Sequence, residues 1–383
     1  MAKFEASRYA KFWGSKEAQQ ALTVFVNNPD IIKGNFEFWK SQFEVDPRVV
    51  ERQSDGVALF MAKIIDRKPG RLLDMRSPLG DANQEDKVGI DAWTGAIPDF
   101  IAPGYVETAL EREHREKMFE DLFGSDAELL LAYANQLQLM VDGANQTLSN
   151  MAAQMLSKGS IAYTFGEGIK DNVIKCPIPA ANFRKAGAVV WSDTANCKLI
   201  DQLVKLEEDF RSDNGLEGVP MKWQIPYAMY RNVFLKNAQV IEYIKNWRKA
   251  NDKGYADSMP VTRAMFEEVF ADNELFSPIE VIVESQRDIN QTVNGWNAGA
   301  AVLRPAGYAG SVKRASILDA QLFKKYGSKA VEKVFATRDI FTIVNTTLQN
   351  GIYKEWHTDL VVAAVPVLEE WTSHLIVDTT TAD

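Results

Sequence analysis

The sequence predicts an α+β protein built around one unusually long helix. Three observations carry that class: an apolar stripe of helical period over Ser125–Lys158, a switch to two-residue alternation just after Gly159, and interleaved helical and strand patterns from Thr194 to Asp339. With 383 residues, 46% apolar and 10% aromatic, the chain can bury a substantial core and divides into parts. The expected parts are an N-terminal arm (1–66), an extended β-loop (67–110), a peripheral domain (111–192) containing the long helix 125–158, an axial domain (193–338) and returning strands of the peripheral domain (339–383).

In the arm, Ala18, Leu22 and Phe25 share one face of a helix expected over Ser15–Asn28. Aromatics are frequent there (Phe4, Tyr9, Phe12, Trp13, Phe36, Phe38, Trp39 and Phe43), which fits either contact with a partner or packing within the chain. Residues 1–68 hold eleven Lys/Arg against nine Asp/Glu, whereas the whole chain carries −9. A weakly basic arm on an acidic body suits self-association, and ordinary variation gives the same pattern.

Between Arg67 and Glu107 Pro and Gly punctuate short strand-like pieces, Arg71–Met75, Val88–Trp93 and Tyr105–Ala109. So long a turn-rich stretch reads as a projecting β-loop that needs something to pack on, because a two-stranded ribbon alone is marginal. A mixed-charge helix follows over Thr108–Leu122.

The long helix begins with Ser125 as N-cap and Glu128 three residues on, and ends at Gly159. Leu130, Ala134, Leu137, Val141, Ala144, Leu148, Met151 and Met155 form its apolar stripe. At 1.5 Å per residue the rod would be roughly 50 Å long. Its other face carries Asn135, Gln138, Asp142, Asn145, Gln146 and Asn150. So amide-rich a face is expected to meet protein rather than water.

After the helix, Ile161–Phe165, the turn Gly166-Glu-Gly168 and Ile169–Lys175 predict a hairpin. Further on, helices are expected at Thr194–Ser212, Pro226–Ala250 and Val261–Ala271, and strands at Val219–Ile225, Ile279–Glu284 and Ala300–Arg304. The last strands are expected at Phe341–Thr347, Leu360–Val367 and His374–Thr380.

No catalytic, cofactor-binding or metal-binding constellation emerges. His114, His357 and His374 lie apart, and His114 falls in a charged helical run. His357 and Asp359 suggest an acid/base pair, set aside on the expectation that their side chains diverge. Asp81-Ala-Asn83-Gln-Glu85 starts like a calcium loop but has Asp86 where Gly is needed and Ala92 where the bidentate Glu belongs. The glycines of Gly307-Tyr-Ala-Gly310 are too close for a phosphate loop. Cys176 and Cys197 lack a CxxC spacing and are expected as buried free thiols. No apolar run is long enough to span a membrane and the first residues lack a signal-peptide core, so a cytosolic product is expected.

The order of elements resembles a major capsid protein of a tailed bacteriophage, in the family of the lambda capsid protein with its Hong Kong 97 shell fold. The stretches that carry the resemblance are Ile97–Val106, Trp191-Ser-Asp193 with the following helix, Gly299–Gly307, Val362–Leu368 and Leu375–Val377. The resemblance implies an arm, an extended loop, a spine helix, a peripheral sheet and an axial domain. It further implies an icosahedral shell of hexamers and pentamers around double-stranded DNA, without catalysis or cofactor. Implied partners are other copies of the chain, a portal protein, a decoration protein in some shells, and a separate scaffolding protein, since 124 residues before the helix suffice only for arm and loop. Assembly would occur in the host cytoplasm, without a membrane, and the product would reside in the virion. Assembly residues are expected at Arg71, Arg76, Asp91, Trp93 and Phe100 in the loop, at Trp13 and Trp39 in the arm, and on the amide face of the helix. Two other readings stand beside this one: an encapsulin-like nanocompartment shell around a cargo enzyme, and a hydrolase built on Thr194–Asp339 with the helix as dimerisation arm.

Overall fold

The computed structural model describes residues 20, 23–64, 92–107, 111, 114, 134–163, 172–251, 253, 259–270, 275–283, 286–287, 292–293, 295–317, 333–338, 340–350 and 353–382. Within them the protein is α+β, with two main sheets and two buried apolar clusters. The expected start of the long helix at Ser125, the helix Thr108–Leu122 apart from two helical positions, the strand Arg71–Met75 and the turn 166–168 lie outside the described residues.

The first elements are α1 (Phe38–Gln42), β1 (Phe43–Val50), β2 (Leu59–Lys63), β3 (Ala92–Ala96) and β4 (Asp99–Glu107). They are followed by the long helix α2 (Ala134–Lys158) and the hairpin β5 (Ser160–Tyr163) and β6 (Asn172–Lys175). Helix α2 stops where expected. Gly159 has φ +67, its N–H bonds to Met155 O, and a Cβ there would lie 2.7 Å from Ile178.

Then come β7 (Phe183–Lys185), α3 (Leu199–Asn214), β8 (Met221–Pro226), α4 (Tyr227–Asn232), α5 (Ala238–Ala250), α6 (Arg263–Phe270), β9 (Ile279–Ile282), β10 (Gln286–Arg287) and β11 (Thr292–Val293). The chain closes with β12 (Ala300–Pro305), β13 (Gly310–Ala315), β14 (Lys333–Arg338), β15 (Phe341–Asn350), β16 (Tyr353–Leu368) and β17 (Leu375–Asp378).

Strand β16 organises the larger sheet, whose order is β1-β13-β16-β15-β14. One edge of β16 is shared: β4 pairs with its first half and β13 with its end. Residues 360–368 are buried without interruption, as a strand covered on both faces must be. Pro366 is tolerated because β15 pairs only as far as Val361, so the missing N–H leaves no bond unmade on that side. Pro103 and Gly104 fall at the register shift of β4, where a bulge absorbs them. Helix α2 packs across β16 and β4.

The second sheet runs β7-β17-β12-β8-β9. Trp191, Trp223, Tyr230, Phe234, Phe266, Phe270 and Phe276 fill its core. Glu207, buried on α3, pairs with Arg211 at 2.8 Å and accepts from Trp223 Nε1 and from Ser277 N and Oγ. A buried carboxylate is stable only when so fully engaged.

Several expectations need correction. The helix expected from Thr194 begins at Leu199, because Asp193 accepts from Asn196 N and Nδ2 and closes a turn first. The single helix expected over Pro226–Ala250 is two. Asn237 ends the 3-10 turn Phe234–Lys236 and caps α5 by accepting from Gln239 N and Val240 N. Strand β17, expected among the returning strands, pairs with β12 in the second sheet. Strand β1, expected within the arm, is paired in parallel with β13 in the larger sheet.

The segment 33–39 lies along a polar stripe of α2 formed by Gln138, Asp142, Asn145 and Ser149, spaced four, three and four residues apart. Gln138 exchanges bonds with the Lys33 backbone at 2.6 and 3.0 Å. Asn145 donates to Asn35 O at 3.0 Å and accepts from Trp39 Nε1 at 3.0 Å. Ser149 donates to Phe36 O at 2.6 Å and accepts from Trp39 N. Phe36 holds φ +56, which turns its carbonyl to Ser149 at a conformational cost for a non-glycine residue. Trp39→Phe should therefore destabilise the chain by about 1–3 kcal/mol, because Asn145 Oδ1 loses its donor. A lower urea midpoint at unchanged m-value would show this; an unchanged midpoint would count against the bond.

Candidate assembly surfaces

The residues expected to mediate assembly separate into three groups. Trp13, Arg71, Arg76 and Asp91 lie outside the described residues. Trp39 and Trp93 are core: Trp39 has no exposed surface, and Trp93 stacks edge-on against Phe60 at 4.9 Å and donates Nε1 to Leu368 O at 3.2 Å. Phe100 is partly buried against the same core. Of the arm aromatics, Phe38, Trp39 and Phe43 pack within the chain, and Phe36 is 37% exposed.

The amide face of α2 is shielded, but by the chain's own segment 33–39 rather than by a neighbour. Gln138, Asp142 and Asn145 are engaged there, Asn150 accepts from Gln154, and Gln146 is half-buried. Asn135 is exposed, and Leu139, one turn on, is 71% exposed.

The ribbon β2–β3 has an unusual composition. Phe60 and Ala62 point into the core at 1% and 0% exposure, while Leu59 and Met61 on the other face are 46% and 60% exposed. A solvated strand face normally alternates to polar residues. Here Leu59 and Met61 stand on the outer face beside Lys63 and Thr94, so two-residue alternation over Leu59–Ala62 cannot say which side is inside. The ribbon is held inward by Trp93 and by Gly95, whose missing side chain admits the Phe60 ring. At its root Arg52 fastens the sheet, bonding Ser316 O, Gly56 O at 2.9 Å and the Asp99 carboxylate.

Chemistry is sparse. Among the described residues no group of three or more His, Cys, Asp or Glu is placed to hold a metal, and no helix is long and apolar enough to cross a membrane. Cys176 and Cys197 are free and buried; burial pushes the first thiol up, and burial followed by Asp193 pushes the second to about 11. Both stay protonated at neutral pH, which disfavours thiolate chemistry. His114 is helical and exposed, and His374 is buried. His357 and Asp359 are two apart on β16, a spacing that in a regular strand places both on one side, so the expected divergence does not follow from it. The side chain of His357 lies outside the described residues. Asp46 is held well below the usual carboxylate range, first by Arg48 and also by Lys313. Lys313, buried between Asp46 at 2.9 Å and Glu369 at 2.8 Å, joins β1 to β13 and the end of β16.

No protein-family model matches the chain, and no curated protein matches it in sequence. Among solved structures the chain is similar to a protein described as a prophage capsid protein of E. coli CFT073, with TM-score 0.43, 13% identity, and coverage of 84% of this chain and 76% of that one. It is similar to the capsid of Ralstonia phage GP4, with TM-score 0.39, 14% identity, and coverage of 89% and 87%. A virus-like particle from Pyrococcus furiosus gives TM-score 0.35 and 11% identity over 94% and 98%.

The two faces of the ribbon should respond oppositely to substitution. Phe60→Ala is expected to cost about 3–5 kcal/mol, and Met61→Asp less than about 0.5 kcal/mol, in the unassembled chain. Thermal unfolding of both variants checks this; a large loss in Met61→Asp would show that face to be core.

Proposed function

We propose that the chain is the structural subunit of a self-assembling icosahedral shell, a major capsid protein of tailed-phage type that encloses double-stranded DNA. The single observation that carries this reading is the ribbon β2–β3. One face completes the subunit's own core, and the other presents Leu59 and Met61 to solvent at the root of residues 64–91. Such a face gains burial when another copy covers it, by about 25 cal/mol per Å² of apolar surface removed from water. Each contact is modest, and a closed shell multiplies it around every subunit.

Hexameric and pentameric rings would use heterologous interfaces that close. A net charge of −9 offers DNA no strong phosphate-binding field, which suits contents that must be packed and released. In this reading the role is structural rather than catalytic. A separate scaffolding protein, a portal and, in some particles, a decoration protein would complete the assembly, formed in the host cytoplasm and carried in the virion.

Expression of the full chain with negative-stain electron microscopy and sedimentation tests the proposal. Shells, tubes or capsomer rings are expected, and the double variant Leu59→Asp with Met61→Asp should fold but sediment as small species. A small monomer or dimer that persists beside a scaffolding protein would overturn the reading. Particles that hold an enzyme cargo and no DNA would replace it with the nanocompartment.

A further inference from the structure

His374 has no exposed surface and stands between the end of α2 and the second sheet. Its Nε2 lies 2.7 Å from the carbonyl oxygen of Leu156. A carbonyl only accepts, so Nε2 carries the proton and the tautomer is set by that bond. Leu156 belongs to the last turn of α2, where the helix runs out of its own amides to meet the carbonyls. The imidazole therefore closes the helix end from outside. The next residue, Leu375, starts β17, which pairs with both β12 and β7.

The other ring nitrogen, Nδ1, is buried with no hydrogen-bond partner among the described residues. A lone pair in an apolar setting is a modest cost, whereas a protonated ring would add a charge and an unpaired N–H. The charged groups on the elements around it are Arg304 on β12, Glu370 before the turn Trp371–Ser373, Lys158 at the helix end and Asp378 on β17. Arg304 and Glu370 have no exposed surface, and Glu370 Oε2 stands 3.9 Å from Arg304 Nη1. Lys158 is exposed, and Asp378 is engaged with Thr380 and Thr381. Arg304 is the charge that acts on the ring, and being cationic it opposes a second positive charge there.

We propose that His374 is a pH-sensitive latch: neutral, it ties the end of the long helix to the second sheet, and its protonation opens that junction. Burial first, and Arg304 in addition, hold the imidazole down at about 4 from the ordinary 6.5, against the Leu156 bond. The opened form therefore binds a proton in a range where the latched form does not. Latching is at full strength above pH 6.5 and weakens as pH falls from 6.5 towards 4. The opening equilibrium shifts by up to on the order of 300-fold over that range.

The test is hydrogen exchange of the full unassembled chain between pH 4 and pH 7, corrected for the intrinsic rate. Peptides covering the end of α2 and the start of β17 should lose protection together as pH falls. His374→Gln, which keeps an N–H donor but does not titrate, should hold its protection through the same range. Constant protection in the natural chain, or opening of His374→Gln at the same pH, would overturn the proposal. Should that variant not fold, the imidazole NMR signals of the natural chain decide: an Nε2–H ring that titrates near 4 supports the latch, and one that titrates near 6.5 refutes it.

Discussion

The structure depends on one buried amide. Asn145 lies in the middle of the long helix with no exposed surface, so both ends of its carboxamide must find partners inside the protein. They find them in the segment 33–39, the carbonyl oxygen taking the Trp39 indole and the amide nitrogen giving to Asn35 O. Those two bonds set the register of the segment on the helix to within a residue. From that register follow the burial of Trp39 against Phe341, the start of α1 and the entry of β1 beside β13. The polar stripe is thus a docking track for the chain's own N-terminal part.

A second set of buried polar groups carries the same segment into both sheets. Gln42, at the end of α1, bonds Glu280 at 2.8 Å and accepts from Gln224 at 2.7 Å and from Arg304 at 2.6 Å. Arg304 also bonds the carbonyls of Pro305 and Gly307, which shapes the turn where the chain leaves the second sheet for the first. Beside them Lys313 lies between Asp46 and Glu369. Buried charges of this kind contribute little net stability, yet removing one partner is costly, so they favour one arrangement over its alternatives. The N-terminal part from Phe38 to Lys63 is therefore body, and among its described residues and those of α2 the exposed large apolar side chains include Leu59 and Met61 on the ribbon and Leu139 on the helix.

Much of this was legible from the residues alone, for identifiable reasons. The helix end at Gly159, the hairpin after it, α6 and the strand cores showed through because period and punctuation are local signals. The break at Asn237 was also written locally, as an Asn before an apolar run, but the helical period continues across it and hides the cap. What could not be seen was pairing between distant segments. The composition of α2 said that its amide face meets protein, but whether that protein is the same chain depends on contacts more than a hundred residues apart. Trp39 and Trp93 illustrate the same gap, since an aromatic in a turn-rich stretch looks alike whether it serves a core or an interface. Leu59 and Met61 carry no sequence signal of exposure, because the run Leu59–Ala62 is apolar at both alternating positions.

The central claim is that the polar stripe Gln138, Asp142, Asn145 and Ser149 of the long helix is covered within the subunit, and the proposal built on it is that the ribbon meets other copies. Hydrogen exchange of residues 33–43 and 137–149, compared between unassembled subunits and assembled particles, tests it most directly. The predicted result is strong and equal protection of both segments in both states, with protection gained on assembly around Leu59–Lys63 and Ala92–Ala96. Protection of 33–43 that arises only on assembly would contradict the claim and return the amide face to the interface.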